Sequence, residues 1–263
     1  MSLLKNFIHS ASSGSKINNV PQVFIADKIF GIRQPSSDSA IRGNVAEPLA
    51  YYFMAKDPTE EQAIDYATKK WKKMGGTSND ELQFAIKCGF LIAKELESRQ
   101  LKRPEKYQEK LYVDGTEFDL DKPIRGFMDF SYFKNVPRPL VIDIKTTKRV
   151  PSSIETCNYD HILQQALYWK ISGENREFAL LYVSDKKTNY LQLSKADLEK
   201  GWQIMKYNLQ LIERLDKKCK SKADWLLSFP YPNFRSQGTS FYFSDKKFKE
   251  QIINLYEGVI ENG

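Results

Sequence analysis

Cysteine is scarce. The 263 residues hold three, Cys88, Cys157 and Cys219, an odd number scattered along the chain. That usage argues against a disulfide framework and for a reducing compartment, with a cytoplasmic location expected. The cysteines also lack the clustered spacing that an iron–sulfur cluster needs, so no such cluster is expected. No run approaches the ~18 consecutive apolar residues of a membrane-spanning helix, and no membrane partner is expected. The opening Met1-Ser2-Leu3-Leu4-Lys5-Asn6 has neither the apolar core nor the cleavage site of a secretory signal, so the chain is not expected to be secreted. Internal repeats and low-complexity linkers are missing as well.

What is present fits a soluble globular chain: 41% hydrophobic and 28% charged residues. The length suffices for a sizeable core in one domain with a helical extension. The net charge of +7 suits a polyanionic partner without identifying one.

The most informative run is Leu140-Val141-Ile142-Asp143-Ile144-Lys145-Thr146-Thr147. It is short, β-branched and opened by Pro137 and Pro139, which predicts a buried strand. Alternation puts Asp143 and Lys145 on one face with Val141, and Leu140, Ile142 and Ile144 on the other. An isolated ion in such a strand costs several kcal/mol, so both charges need partners. The same Asp-x-Lys spacing recurs at Asp185/Lys187, Asp216/Lys218 and Asp245/Lys247, but in solvent-like contexts.

A second strand pattern spans Ile124 to Phe133, with Asp129 among core-type residues. Phe127, Asp129 and Ser131 share one face, and Met128, Phe130 and Tyr132 the other. The break at Asn135 to Arg138 is short enough for an antiparallel hairpin that brings Asp129 beside Asp143. Two carboxylates that close repel, and one would take up a proton unless a cation joined them. Hard oxygen donors suit Mg²⁺, with Mn²⁺ as a substitute.

Helices are predicted from Arg42 to Met54, from the capping pair Thr59/Gln62 to Met74, from Asn79 to Arg99, from Glu155 to Ser172, from Lys195 to Lys218, and from Ser244 to Ile260. Glu105 to Phe118 reads as a strand or hairpin turning at Asp114-Gly115, Glu177 to Ser184 as a central strand, and Tyr190 to Leu193 as a short one. Ser10 to Ser15 reads as a loop, Val20 to Phe30 as a short helix or strand, and Trp225 to Tyr242 as an aromatic, Pro-rich segment that clamps the C-terminal end or forms a lid. The run Lys69-Lys70-Trp71-Lys72-Lys73 reads first as a solvated helix end, and second as a phosphate contact with Trp71 stacking on a base.

Gly126-x-x-Asp129, then Asp143-Ile144-Lys145-Thr146, then Gln164-x-x-x-Tyr168 resembles the PD-(D/E)XK nuclease superfamily, and more narrowly its RecB-like exonuclease branch, which includes phage-type recombination and repair exonucleases. Arg42-Gly43-Asn44-Val45-Ala46-Glu47 supplies the helical motif that this branch carries ahead of its core. The motifs cover residues 42–168, and Met128 stands where the family name implies proline.

The resemblance implies an α/β fold: a restriction-endonuclease-like core, with a mixed central sheet flanked by helices and an N-terminal helical extension. Residues 1–263 would form a single nuclease domain. Within it, residues 1–104 would be mainly helical and carry Glu47, residues 105–219 would form the catalytic core, and residues 220–263 a C-terminal extension. The resemblance also implies metal ligands Glu47, Asp129, Asp143 and the Ile144 backbone carbonyl, a catalytic Lys145, and Gln164 and Tyr168 positioning a phosphate or base. Arg42, Thr146, Lys148, His161 and Trp71 are expected to touch the substrate. The function implied is Mg²⁺-dependent exonucleolytic hydrolysis of single-stranded or duplex DNA ends, in recombination, repair or replication. A single-strand-annealing or replication protein is an expected partner. An endonuclease on the same fold and a non-catalytic DNA-binding recombination accessory protein are the alternatives.

Overall fold

The computed structural model describes residues 2–232, 243 and 245–262, with side chains to 259. The chain divides into two compact units. One comprises Met1–Pro35, Tyr112–Gly126 and Lys200–Gly263, the other Ser36–Leu111 and Phe127–Glu199. Each therefore draws on more than one of the segments 1–104, 105–219 and 220–263.

The second unit carries most of a mixed sheet of five strands in the order β1-β2-β3-β4-β5: β1 Lys106–Val113, β2 Ile124–Tyr132, β3 Leu140–Thr146, β4 Glu177–Val183 and β5 Thr188–Gln192. β2 and β3 form the expected antiparallel pair, with Phe130 opposite Ile142. β3 and β4 run parallel, Ile144 opposite Leu181. A parallel pair needs a crossover, and here it contains helix α6, Tyr159–Ile171. β4 lies between two strands and against α5 and α6, and with both faces covered its sequence is apolar after Glu177.

Three helices precede this sheet: α3 Asp38–Lys56, α4 Glu60–Lys73 and α5 Asn79–Ser98. The Thr59/Gln62 capping box opens α4 as its spacing predicts. Gly89 of α5 lies against α3, where an added Cβ would fall 2.6 Å from Leu49 Cδ2. That close approach lets Val45, Leu49, Ile86 and Ile92 share one core with Phe130, Ile142, Ile144 and Leu181.

The other unit contains α1 Ala11–Asn19, α2 Pro21–Lys28, most of α7 Lys195–Lys218, α8 Lys222–Leu227 and α9 Lys246–Asn262. The loop expected at Ser10 to Ser15 is instead the start of α1. Ser10 and Ser13 form a reciprocal capping box, and the small residues that suggested a loop let the helix approach Met205, 2.3 Å from where a Gly14 Cβ would stand. Phe24 packs on Trp225 with ring centroids 6.0 Å apart. Buried His9 meets Glu213 Oε1 through Nε2 at 2.8 Å, and that oxygen also accepts the N–H groups of Asp121 and Lys122.

The hairpin expected at Asp114-Gly115 does not form. Asp114 caps a 3-10 helix, Gly115–Phe118, by accepting the Thr116 N–H. The helix expected from Glu155 likewise begins as a separate 3-10 turn, Ile154–Thr156, before Asn158 caps α6. Within the aromatic segment Trp225 to Tyr242, residues 233–242 lie outside the described residues, as does the predicted cap Ser244. No helix among the described residues is long and apolar enough to cross a membrane.

Candidate active site

The antiparallel register carries Asp129 and Asp143 one step beyond the Phe130–Ile142 pair, so the two carboxylates neighbour each other on adjacent strands. The Ile144 N–H donates to Asp129 Oδ2 at 3.0 Å. Lys145 Nζ lies 2.6 Å from Asp143 Oδ2, and it donates to Gln164 Oε1 at 2.9 Å. Gln164 in turn donates to the Tyr168 hydroxyl at 3.1 Å, as their spacing on one face of α6 allows. Glu47 arrives from α3 just ahead of Pro48, whose missing N–H removes one helix bond at that turn.

Gln108 of β1, which the sequence does not single out, completes this centre. Its side-chain nitrogen donates to Glu47 Oε1 at 2.5 Å and to Asp129 Oδ1 at 3.1 Å. The motifs point to the other groups so joined; Gln108 sits in a strand whose alternation gives it no distinguishing mark.

Electrostatics match the crowding. Burial, then the charges of Asp143 and Glu47, hold the Asp129 carboxyl well above the usual carboxylate range. Burial also raises Glu47, with Asp143 adding to it against the Gln108 hydrogen bond. Burial alone would lower the Lys145 ammonium, but Asp143 and Asp129 outweigh it and hold the group above its ordinary value. Burial and the Asp143 charge raise the Tyr168 phenol.

Among the described residues no group of three or more His, Cys, Asp and Glu side chains forms an arrangement that could hold a metal ion. In this geometry an amide joins Glu47 to Asp129, and Asp143 faces Lys145. The donors nonetheless fit a hard divalent cation in kind: they are carboxylate oxygens, and Asp143 Oδ1 is buried without a hydrogen-bond partner.

No protein-family model matches this chain, and neither does any curated protein. Among solved structures it is similar to the crystal structure of a Eubacterium rectale protein provisionally designated an exonuclease. The TM-score is 0.56 at 14% identity, over 89% of this chain and 93% of that one. At this identity the likeness concerns the fold alone. A second solved structure, of SSO0001, aligns over 78% of this chain and 82% of its own at 14% identity, and its TM-score of 0.35 carries no argument.

A cleft of about 480 Å³ opens beside Lys145, lined among others by Thr146, Arg149, Asn158, His161 and Tyr182. Two of the expected substrate contacts, Thr146 and His161, therefore share a wall with the lysine. His161 Nδ1 and the Tyr182 hydroxyl lie 2.7 Å apart. Burial, aided by the Lys145 charge, pushes the imidazole down to about 3, so at neutral pH it offers a hydrogen bond and no charge.

Two other expectations need correction. Trp71 is 3% exposed and lies in the helical core, with Gly76 closed over its ring. It presents no face to a base, because the helix turns its long apolar side chain inward and its lysine neighbours outward. Arg42 is buried, paired with Glu81 at 2.6 Å and stacked over Phe84, so its guanidinium already has its anion. Lys148 reaches the same Glu81 at 2.7 Å but stays 67% exposed, which leaves it available to a phosphate.

Proposed function

We propose that this chain is a metal-dependent deoxyribonuclease acting from DNA ends. The observation that carries the reading is the meeting of Asp129, Asp143 and Lys145 at the β2–β3 pair, with Glu47 brought to the same carboxylates by α3. A phosphodiester resists hydrolysis because the nucleophile must approach an anion and an alkoxide must leave. Glu47, Asp129 and Asp143, with the Ile144 carbonyl, would hold Mg²⁺ or Mn²⁺. When bound, such an ion screens the phosphate, lowers the pKa of its water and stabilises the leaving oxygen.

The protein's own groups do the rest. Lys145, fixed between Asp143 and Gln164, orients the attacking water and opposes charge growing on the phosphorane. Gln164 and Tyr168 hold that lysine in place from α6 and reach toward the phosphate or the neighbouring base. Thr146, Lys148, Arg149 and neutral His161 supply donors along the cleft for the strand. The net charge of +7 draws in a polyanion.

A time course on end-labelled single-stranded and duplex oligonucleotides tests the proposal. Mg²⁺ or Mn²⁺ should support cleavage and EDTA should stop it. Asp143→Asn should lower the rate by ~10²-fold or more, the size expected when preorganised charge stabilisation is lost. A closed circular duplex should survive, since an enzyme that needs an end finds none there. Cutting of the circle would favour the endonuclease, and DNA binding without any cleavage the accessory protein.

A further inference from the structure

Gln108 has a left-handed backbone, φ 53°, inside edge strand β1. The other described non-glycine residues with positive φ are Asp57, Gln100, Asp119, Asn135 and Glu174. All of them stand at helix ends or in the β2–β3 loop, where such a conformation is common. Within a strand it is unfavourable, and it persists only where the surroundings hold it. Of its neighbours, Tyr107 also hydrogen-bonds Glu47. Tyr107 stacks on Tyr51 at 4.1 Å, and Glu109 pairs with Arg176 at 2.7 Å. The side chain of Gln108 itself is mostly in solvent apart from one contact: a single nitrogen that touches two carboxylates, Glu47 and Asp129.

The nitrogen stands 2.5 Å from Glu47 Oε1 and 3.1 Å from Asp129 Oδ1, so it holds together two acceptor oxygens that have no donor of their own to offer each other as carboxylates. An amide with two hydrogens is the neutral group best suited to bridge them.

We propose that Gln108 is a placeholder for the cation. Its amide bridges Glu47 and Asp129 in the ion-free protein and must withdraw before a divalent ion can bind between them. This deepens the metal-dependent reading above and rests on it. Gln108 is a positioning residue, and it weakens cation binding by stabilising the state that competes with it.

Isothermal calorimetry of the full chain with Mn²⁺ alone tests this without any substrate. Gln108→Leu is nearly the same size but removes the donor. It should bind Mn²⁺ at least about tenfold more tightly than the parent, the size expected when charge-assisted hydrogen bonds are lost from the competing state. Its melting temperature should fall in EDTA and match the parent in saturating Mn²⁺. Equal or weaker Mn²⁺ affinity would overturn the placeholder. Gln108→Gly, which suits the backbone better, carries the same comparison should the leucine variant not fold. A parent that cuts DNA and binds Mn²⁺, alongside a variant of unchanged affinity, refutes the placeholder alone. A parent that neither binds Mn²⁺ nor cuts DNA refutes the nuclease reading itself.

Discussion

Removing Lys145 should destabilise the ion-free protein, not merely inactivate it. Asp143 is 1% exposed, and its Oδ1 has no hydrogen-bond partner. The Lys145 ammonium at 2.6 Å is its ion pair. In Lys145→Ala that charge stays buried beside Asp129 and Glu47, both already strained by like charge. Breaking a buried pair from one side costs about 3–5 kcal/mol. Water access holds the loss toward the lower end. The lysine side chain is 19% exposed, so water enters where it leaves. A loss of about 3 kcal/mol corresponds to a fall in melting temperature of about 6–12 °C for a chain of this size. Asp143→Asn should cost far less, because it relieves repulsion while Lys145 keeps Gln164 and the Asp129 charge. The double variant should then melt above Lys145→Ala, an order that additive effects cannot produce. Thermal melts in EDTA at neutral pH read all three. Lys145→Ala melting with the parent, or the double variant melting lowest, would refute the account of what the ion pair does.

Trp71→Ala should cost about 3–5 kcal/mol of stability, the usual toll of emptying an aromatic from a core, whereas Trp71→Phe should leave DNA affinity in a filter-binding assay unchanged. A selective loss of binding by the phenylalanine variant would restore the stacking role. Burial would raise Glu213, but hydrogen bonds from His9 and from the Asp121 and Lys122 amides outweigh it and hold its carboxyl below the ordinary 4.5. A depressed folded value contributes stability that is present above that ordinary value and lost as pH falls through the folded one. Glu213→Gln should therefore flatten the acid limb of a stability-against-pH curve below about 4.5, and an unchanged limb would show that the burial of this pair carries no proton linkage.

The regions of the fold legible in the sequence are those where one periodicity acts alone. β3 and β4 are short apolar runs with turn residues at their edges, and α4 announces itself through Thr59 and Gln62. The hairpin register follows from a short loop and from parity, which is why the sequence alone places Asp129 and Asp143 together. Misreadings arise where two physical causes leave the same trace. Small polar residues make loops, but at Ser10 to Ser15 they make a capped helix able to press against Met205. Asp-Gly makes hairpin turns, but at 114–115 it opens a 3-10 helix, with Gly115 required because a Cβ would stand 2.0 Å from the Lys122 carbonyl oxygen. Trp71 lies among lysines that do face outward, whereas Arg42 follows buried Ile41, and neighbour identity says little about which way a helical side chain turns.

The departures from local rules are not spread evenly through the second unit. A carboxylate buried in an apolar strand, a proline inside α3 directly after Glu47, and a left-handed glutamine inside β1 all concern the same few side chains. A sequence selected only for stability would remove each of them: an apolar residue for Asp143, a helix former for Pro48, a glycine at 108. Stability arguments for the rest of this unit run the other way, since α4, α5 and β4 obey capping, periodicity and burial at once. Local conflicts gathered in one place are what a fold that tolerates strain for chemistry produces. On that ground Gln108 belongs with the acids and the lysine, although no motif names it.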